Sequence, residues 1–183
     1  YAYLLHCAPV AHPLLAGRVG WVFRPVDESA MRAGARHLLG EHDFSAFRAA
    51  ECQAKSPVRR LERLAIRRTG EFVVLEFSAN AFLHHMVRNI VGALVAVGTG
   101  RRPPQWIADL LASRDRRLGA ATFAGSGLYL AGVDYDGEIG AHVGRPHGLG
   151  GLSALFGSPP APAMAMPAPD GSAPLPMRAG DSS

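Results

Sequence analysis

Hydrophobic positions along the chain fall into runs of different period. Residues 1–7 are apolar and aromatic almost throughout, as a buried strand would be. Pro13, Gly17 and Gly20 then punctuate a loop. After Asp27, a side chain suited to an N-cap, Met31, Ala35, Leu38 and Leu39 recur at helical spacing, and Gly40 is placed to stop that helix. The stretch His42-Asp43-Phe44-Ser45-Ala46-Phe47-Arg48 follows neither period and reads as an irregular loop. Residues 60–68 and 71–79 both alternate, and the Thr69-Gly70 turn between them predicts a β-hairpin.

Asn80 is positioned to cap a second helix, which carries Phe82, Leu83, Met86, Val87, Ile90, Val91 and Leu94 at helical spacing and ends at Gly98-Thr99-Gly100. Pro103-Pro104 opens a third helix over residues 105–113, since proline is tolerated in a first turn. Residues 127–135 read as a closing strand. From about Gly137 the chain turns to Gly, Pro, Ala and Ser without period. The expected organisation is therefore a folded part over residues 1–136 and a disordered tail over residues 137–183. Helices mixed with antiparallel-type strands make the expected fold class α+β. No internal repeat is visible.

Composition changes this picture little. A hydrophobic fraction of 48% in 183 residues supplies enough apolar surface to offset ordering entropy, which excludes a wholly disordered chain. No apolar run approaches ~20 residues, so no membrane partner is expected. The opening Tyr-Ala-Tyr-Leu-Leu reads like the middle of a strand, and a fragment is expected. Cys7 and Cys52 match neither a disulfide framework nor a metal-site spacing, which makes a reducing cytoplasm the simplest compartment.

The formal charge is +4, and every basic residue except Lys55 is arginine. Taken singly, the pairs Arg59-Arg60, Arg67-Arg68, Arg101-Arg102 and Arg116-Arg117 are solvated faces; on a shared surface they would form a phosphate-contacting footprint.

Arg88 carries the sharpest chemical signal. It sits inside an apolar-periodic helix, where a guanidinium is expensive unless a carboxylate or phosphate meets it. The bland alternative is an arginine that snorkels from the helix edge. Glu41, Asp43 and Asp134 are the nearby carboxylates the sequence offers as partners. His84-His85 resembles a ligand pair, but adjacent helical residues diverge by ~100° and a helical metal pair is spaced i, i+4. No metal is expected. Tyr1 and Tyr3 project from one face of a strand, either as core residues or as rings on which a base can stack. A hydrolase built on Asp43 with His84 or His85 has only composition behind it.

Three stretches go further than periodicity does. His42-Asp43-Phe44-Ser45-Ala46-Phe47-Arg48-Ala49-Ala50-Glu51-Cys52-Gln53 with Ser56-Pro57 is the first. The second is Ala79-Asn80-Ala81-Phe82-Leu83-His84-His85-Met86-Val87-Arg88-Asn89-Ile90-Val91-Gly92. The third is Gly127-Leu128-Tyr129-Leu130 followed by Val133-Asp134-Tyr135. Together they strongly resemble the bacterial tRNA pseudouridine synthase A family, in order from Tyr1 to about Tyr135.

The resemblance implies isomerisation of uridine to pseudouridine in the anticodon arm of tRNA, with no metal or organic cofactor. It also implies a mixed fold with a central antiparallel sheet, and a homodimer that grips tRNA. By the same resemblance Arg88 is the partner of a catalytic aspartate, Tyr1 packs on the target uracil, and Leu128 lines the uridine pocket. Phe44, Arg48, Arg59 and Arg60 are the further RNA-binding candidates. The family's nucleophilic aspartate lies in a Gly-Arg-Thr-Asp-Ala-Gly motif ahead of the tyrosine strand, and that motif is absent from these 183 residues. The chain is therefore expected to be the carboxy-terminal part of such an enzyme and inactive alone. The alternative is a non-catalytic RNA-binding remnant.

Overall fold

The computed structural model describes residues 1–133, which build one mixed sheet with helices packed against it. The strands are β1 (Ala2–Cys7), β2 (Gly20–Val22), β3 (Gly40–Asp43), β4 (Val58–Thr69), β5 (Phe72–Ala79) and β6 (Leu128–Tyr129). The helices are α1 (Glu28–Arg36), α2 (Met86–Gly98) and α3 (Trp106–Ser113). The sheet order is β2-β1-β5-β4-β3, and β6 also pairs with β1. All pairings are antiparallel except that of β1 with β2. The mixed α+β class read from the sequence is the one observed.

β1 lies inside the sheet, with β5 along one side and β2 and β6 sharing the other. Such a strand is covered on both faces, which is why it reads as a continuous apolar run instead of alternating. The hairpin forms as expected, with Thr69 opposite Phe72 across the turn. Asp27 caps α1 by accepting from the N–H groups of Ser29 and Ala30 at 2.8 and 3.1 Å. Met31 and Ala35 of α1, Ile90 and Leu94 of α2, and Ile107 of α3 meet Leu61 and Leu75 of the sheet in one core.

Four expectations about elements need correction. α1 ends at Arg36, ahead of Leu38 and Gly40. The stretch beginning at His42 is partly strand, because Gly40–Asp43 pairs with Leu61–Val58 at the sheet edge, where polar side chains reach water. β2 falls within what reads as loop, being too short to show a period. Among the described residues the closing strand covers Leu128–Tyr129 alone.

α2 also begins six residues after Asn80, which does not cap it. The Asn80 Oδ1 accepts from the N–H groups of Arg60 and Ala81 at 3.0 and 2.9 Å, tying the segment to β4. His85 then adopts a left-handed conformation with φ 60°, which breaks any continuous helix from Asn80. Asp134, Tyr135, the 136/137 boundary and the tail lie outside the described residues. Among the described residues no helix is long and apolar enough to cross a membrane.

Candidate active site

α2 is buried over nearly its whole length, and two of its residues explain how a pocket forms at its start. A Cβ on Gly92 would lie 2.4 Å from the Ala121 carbonyl oxygen, so only glycine lets residues 119–124 pass this close over the helix. Asn89, buried in the same face, donates from Nδ2 to the Phe47 carbonyl at 2.7 Å. Its Oδ1 accepts from Arg116 at 3.0 Å and from the Thr122 hydroxyl at 2.7 Å. One amide thus joins three segments. The returning chain then reaches β1, where the Leu4 N–H donates to Gly127 at 2.8 Å and Leu128 pairs with Tyr3. Gly127 takes φ 98° in this turn, with Leu4 O and Gly20 N too close to admit a Cβ.

This seam places Tyr1, Arg88 and Leu128 around one cavity of about 280 Å³, whose wall also includes Phe82, His84 and His85. The Tyr1 ring stands edge-on to Phe82, with centroids 5.1 Å apart. Arg88 is half-buried, and its Nε donates to the Phe123 carbonyl at 2.8 Å. No carboxylate among the described residues pairs with it. Asp43 instead accepts from the Ser45 N–H at 2.9 Å and hydroxyl at 2.6 Å and faces Arg114 at 3.4 Å. Burial pushes the Asp43 carboxyl up, but those hydrogen bonds and the Arg114 charge outweigh it and lower its pKa. Glu41 sits on β3 opposite Arg60. Neither local carboxylate is the partner of Arg88. The hydrolase reading also loses support, since Asp43 is held by Ser45 and Arg114 and not by a histidine.

Tyr3 and Tyr1 part company. Tyr3 is fully buried, and its hydroxyl lies 2.6 and 2.7 Å from the carbonyls of Ala124 and Ser126. Burial pushes its phenol up to about 12, against the nearby Arg88 charge. Tyr3 is core; Tyr1 lines the cavity.

The RNA-binding candidates are not gathered in this way. Phe44 is fully buried against Phe47 and His42, so its ring is not available to a base, which corrects that expectation. Arg48 donates to the Cys52 carbonyl. Arg59 donates to the carbonyls of Ser56 and Val58 at 3.0 and 2.6 Å, while Arg60 remains exposed. Other arginine pairs are also engaged. Arg67 and Arg63 meet Glu76, Arg68 meets Glu28 and the Val26 carbonyl, and Arg117 meets Asp115. Arg102 lies over the Trp106 ring. A larger cavity, about 670 Å³, is lined by Trp21, Arg101, Arg102 and Trp106 among others, but by none of the expected site residues. The smaller cavity has the convergent chemistry.

His84 and His85 contradict the geometry assumed for them. Both precede α2, and their rings stack with centroids 3.9 Å apart. Burial, with the charges of His84 and Arg88, holds the His85 imidazole below the usual histidine range. Asn89 and Gly92 were not singled out from the sequence. Their signal was present as a polar side chain and a glycine inside an apolar helical pattern.

A family model described as tRNA pseudouridine synthase matches residues 35–136, more than half of the chain. The chain is 59% identical over 139 residues to proteins named tRNA pseudouridine synthase A from Burkholderia ambifaria, Burkholderia lata and Burkholderia multivorans. Each match covers 76% of this chain and 52% of the relative. The chain thus spans about half the length of the curated relatives it matches.

Proposed function

The chain belongs to the tRNA pseudouridine synthase family, and from that premise we propose that it supplies the uridine-binding wall of an enzyme that isomerises uridine in the anticodon arm of tRNA. The observation that carries this reading is the cavity shared by Tyr1, Arg88 and Leu128, with an arginine that no carboxylate of the described residues neutralises. Arg88 holds the ionised nucleophilic carboxylate supplied by the rest of the enzyme. Its Nε is fixed by the Phe123 carbonyl, which leaves the terminal nitrogens free to donate. Tyr1 packs on the flipped uracil, and Leu128 with Phe82 makes the apolar part of the wall, offsetting some of the unstacking cost.

In the reaction the carboxylate attacks the nucleoside and the bond from C1′ of the sugar to N1 of uracil breaks. The base then turns, C5 bonds to C1′ as the bond to the attacking carboxylate breaks and frees it, and the C5 proton is given up as N1 gains one. Atoms and electrons balance without an oxidant, a reductant or a cofactor. An attacking carboxylate must be ionised and aimed, and a fixed guanidinium serves both ends. The substrate is tRNA, the working assembly a homodimer, and the location cytoplasmic.

Joining residues 1–183 to the amino-terminal half of a Burkholderia relative tests the reading. The joined protein is expected to form pseudouridine in tRNA, and residues 1–183 alone are not. A folded joined protein that forms none would overturn it. Formation by residues 1–183 alone would place the nucleophile within this chain, with Asp43 the first to substitute.

A further inference from the structure

We propose that Glu51, His84 and His85 form a binding site for one divalent transition-metal ion of the zinc type, with open coordination positions beside the Tyr1–Arg88 cavity. The proposal does not rest on the pseudouridine reading. The His84 Nδ1 lies 3.7 Å from the Glu51 Oε1 and the His85 Nδ1 lies 3.9 Å from the same oxygen. The three candidate ligand atoms all fall within 4.8 Å of one another. Zinc bound at about 2.0–2.2 Å to nitrogen and oxygen sets tetrahedral ligand atoms roughly 3.3–3.6 Å apart. The His84 and His85 rings, now stacked, turn apart so that both Nδ1 lone pairs aim at one ion and the set closes around it. As they stand, the contacts are too long for hydrogen bonds and leave the donor atoms available.

The backbone builds this convergence. The Ala49 N–H donates to the His84 carbonyl at 3.1 Å, which holds the loop bearing Glu51 against the histidine pair. The left-handed φ of 60° at His85 turns its ring back onto that of His84, a conformation that costs a non-glycine residue about 1–3 kcal/mol. The Asn89 N–H fixes the His85 carbonyl at 2.9 Å, so the turn is anchored to α2 as well.

Two imidazole nitrogens and one carboxylate oxygen form a donor set of intermediate softness. It favours Zn²⁺, Co²⁺, Ni²⁺ or Cu²⁺ over Mg²⁺, which takes oxygen ligands in octahedral geometry. Three protein ligands leave a fourth position for water, the pattern of an open site. Access exists from two sides. His84 and His85 line the cavity that contains Tyr1 and Arg88. Glu51 and His85 line a second, of about 400 Å³, with Arg116, Arg117 and Thr122.

Calorimetric titration of chelator-washed residues 1–183 with Zn²⁺ tests the site, with Co²⁺ absorption as an independent readout of coordination. The expected result is one equivalent bound, with Mg²⁺ unable to displace it. Glu51→Gln and His84→Ala should each weaken binding by at least about tenfold. His12→Ala, at an exposed histidine elsewhere, should leave it unchanged. Undiminished affinity in the Glu51→Gln/His84→Ala double variant would overturn the site, as would displacement of Zn²⁺ by equimolar Mg²⁺. Thermal melts confirm that the variants remain folded. If a variant does not, Cu²⁺ broadening of histidine ring signals in the parent chain decides. Broadening concentrated on His84 and His85 supports the site, and equal broadening of all 8 histidines overturns it.

Discussion

On the β4–β5 hairpin, Arg63 and Arg67 meet Glu76 and Arg68 meets Glu28, whereas at the start of α2 Arg88 meets a backbone carbonyl and no carboxylate of the described residues. The hairpin arginines have their charge answered within the molecule, close to solvent, where such pairs contribute at most about 1 kcal/mol. They are poorly suited to serve as a phosphate footprint. Arg88 is half-buried in a cavity wall, where an unanswered charge costs more and draws an anion more strongly. The difference teaches that the number of arginines says little about function here. What marks Arg88 is its place in the cavity wall beside Tyr1 and Leu128 with no carboxylate of the described residues to answer its charge.

The largest test of this contrast is activity in the joined protein. Arg88→Ala is expected to lower pseudouridine formation by roughly 10²–10³-fold or more, the equivalent of breaking a buried charge pair. Arg67→Ala should stay within about threefold of the parent. Equal losses in the two variants would erase the distinction.

The next effect concerns the seam that holds the Arg88 side of the contrast in place. Gly92→Ala drives a methyl group toward the Ala121 carbonyl and is expected to destabilise the fold by about 1–3 kcal/mol in urea unfolding. An unchanged midpoint would mean that residues 119–124 are not seated on α2.

A smaller effect is read by alkaline titration. The Tyr3 phenol is pushed up to about 12, above its ordinary value, so its neutral form is favoured by the fold. That contribution is full below about pH 10 and is lost as pH rises through about 12. Phenolate absorbance should show a step near pH 12 coincident with unfolding, and Tyr3→Phe should remove that step. A Tyr3 that titrates with an ordinary phenol would show its hydroxyl to be solvated.

The smallest expected effect is on the hairpin, where Arg67→Ala should change stability by less than about 1 kcal/mol. A larger loss would mean that its charge pair with Glu76 is structural, and would narrow the gap from Arg88.

Elements with a long period and a local stop signal were legible in the sequence. The Asp27 cap, the hairpin about Thr69-Gly70 and the helix after Pro103-Pro104 are all of this kind. β2 and β3 were not, because three or four residues cannot display a period, and β6 was read only as part of a longer closing strand. The start of α2 misled for another reason. Phe82 and Leu83 are spaced as if helical, yet they lie ahead of the His84-His85 turn from which the helix starts. Tyr1, Arg88 and Leu128, which the resemblance offered together, share one cavity. Phe44 was misread, since one aromatic residue among polar neighbours looks the same whether it faces a base or the core. The role of Asn89 depends on Phe47, Arg116 and Thr122, which no local pattern brings together.

β1 is flanked on one edge by two short strands, β2 near the beginning of the chain and β6 near residue 128. During synthesis the strand that completes the edge beside Tyr1 and Tyr3 emerges more than a hundred residues after them. A nascent chain therefore carries an open strand edge and an unfinished cavity wall until that strand emerges. Contacts this distant in sequence also slow folding, because a long loop must close before they form. Such an edge is a target for wrong strand pairing, so chaperone protection matters most before Leu128 arrives. The cavity shared by Tyr1, Arg88 and Leu128 is accordingly completed late, when residues 125–129 dock beside β1.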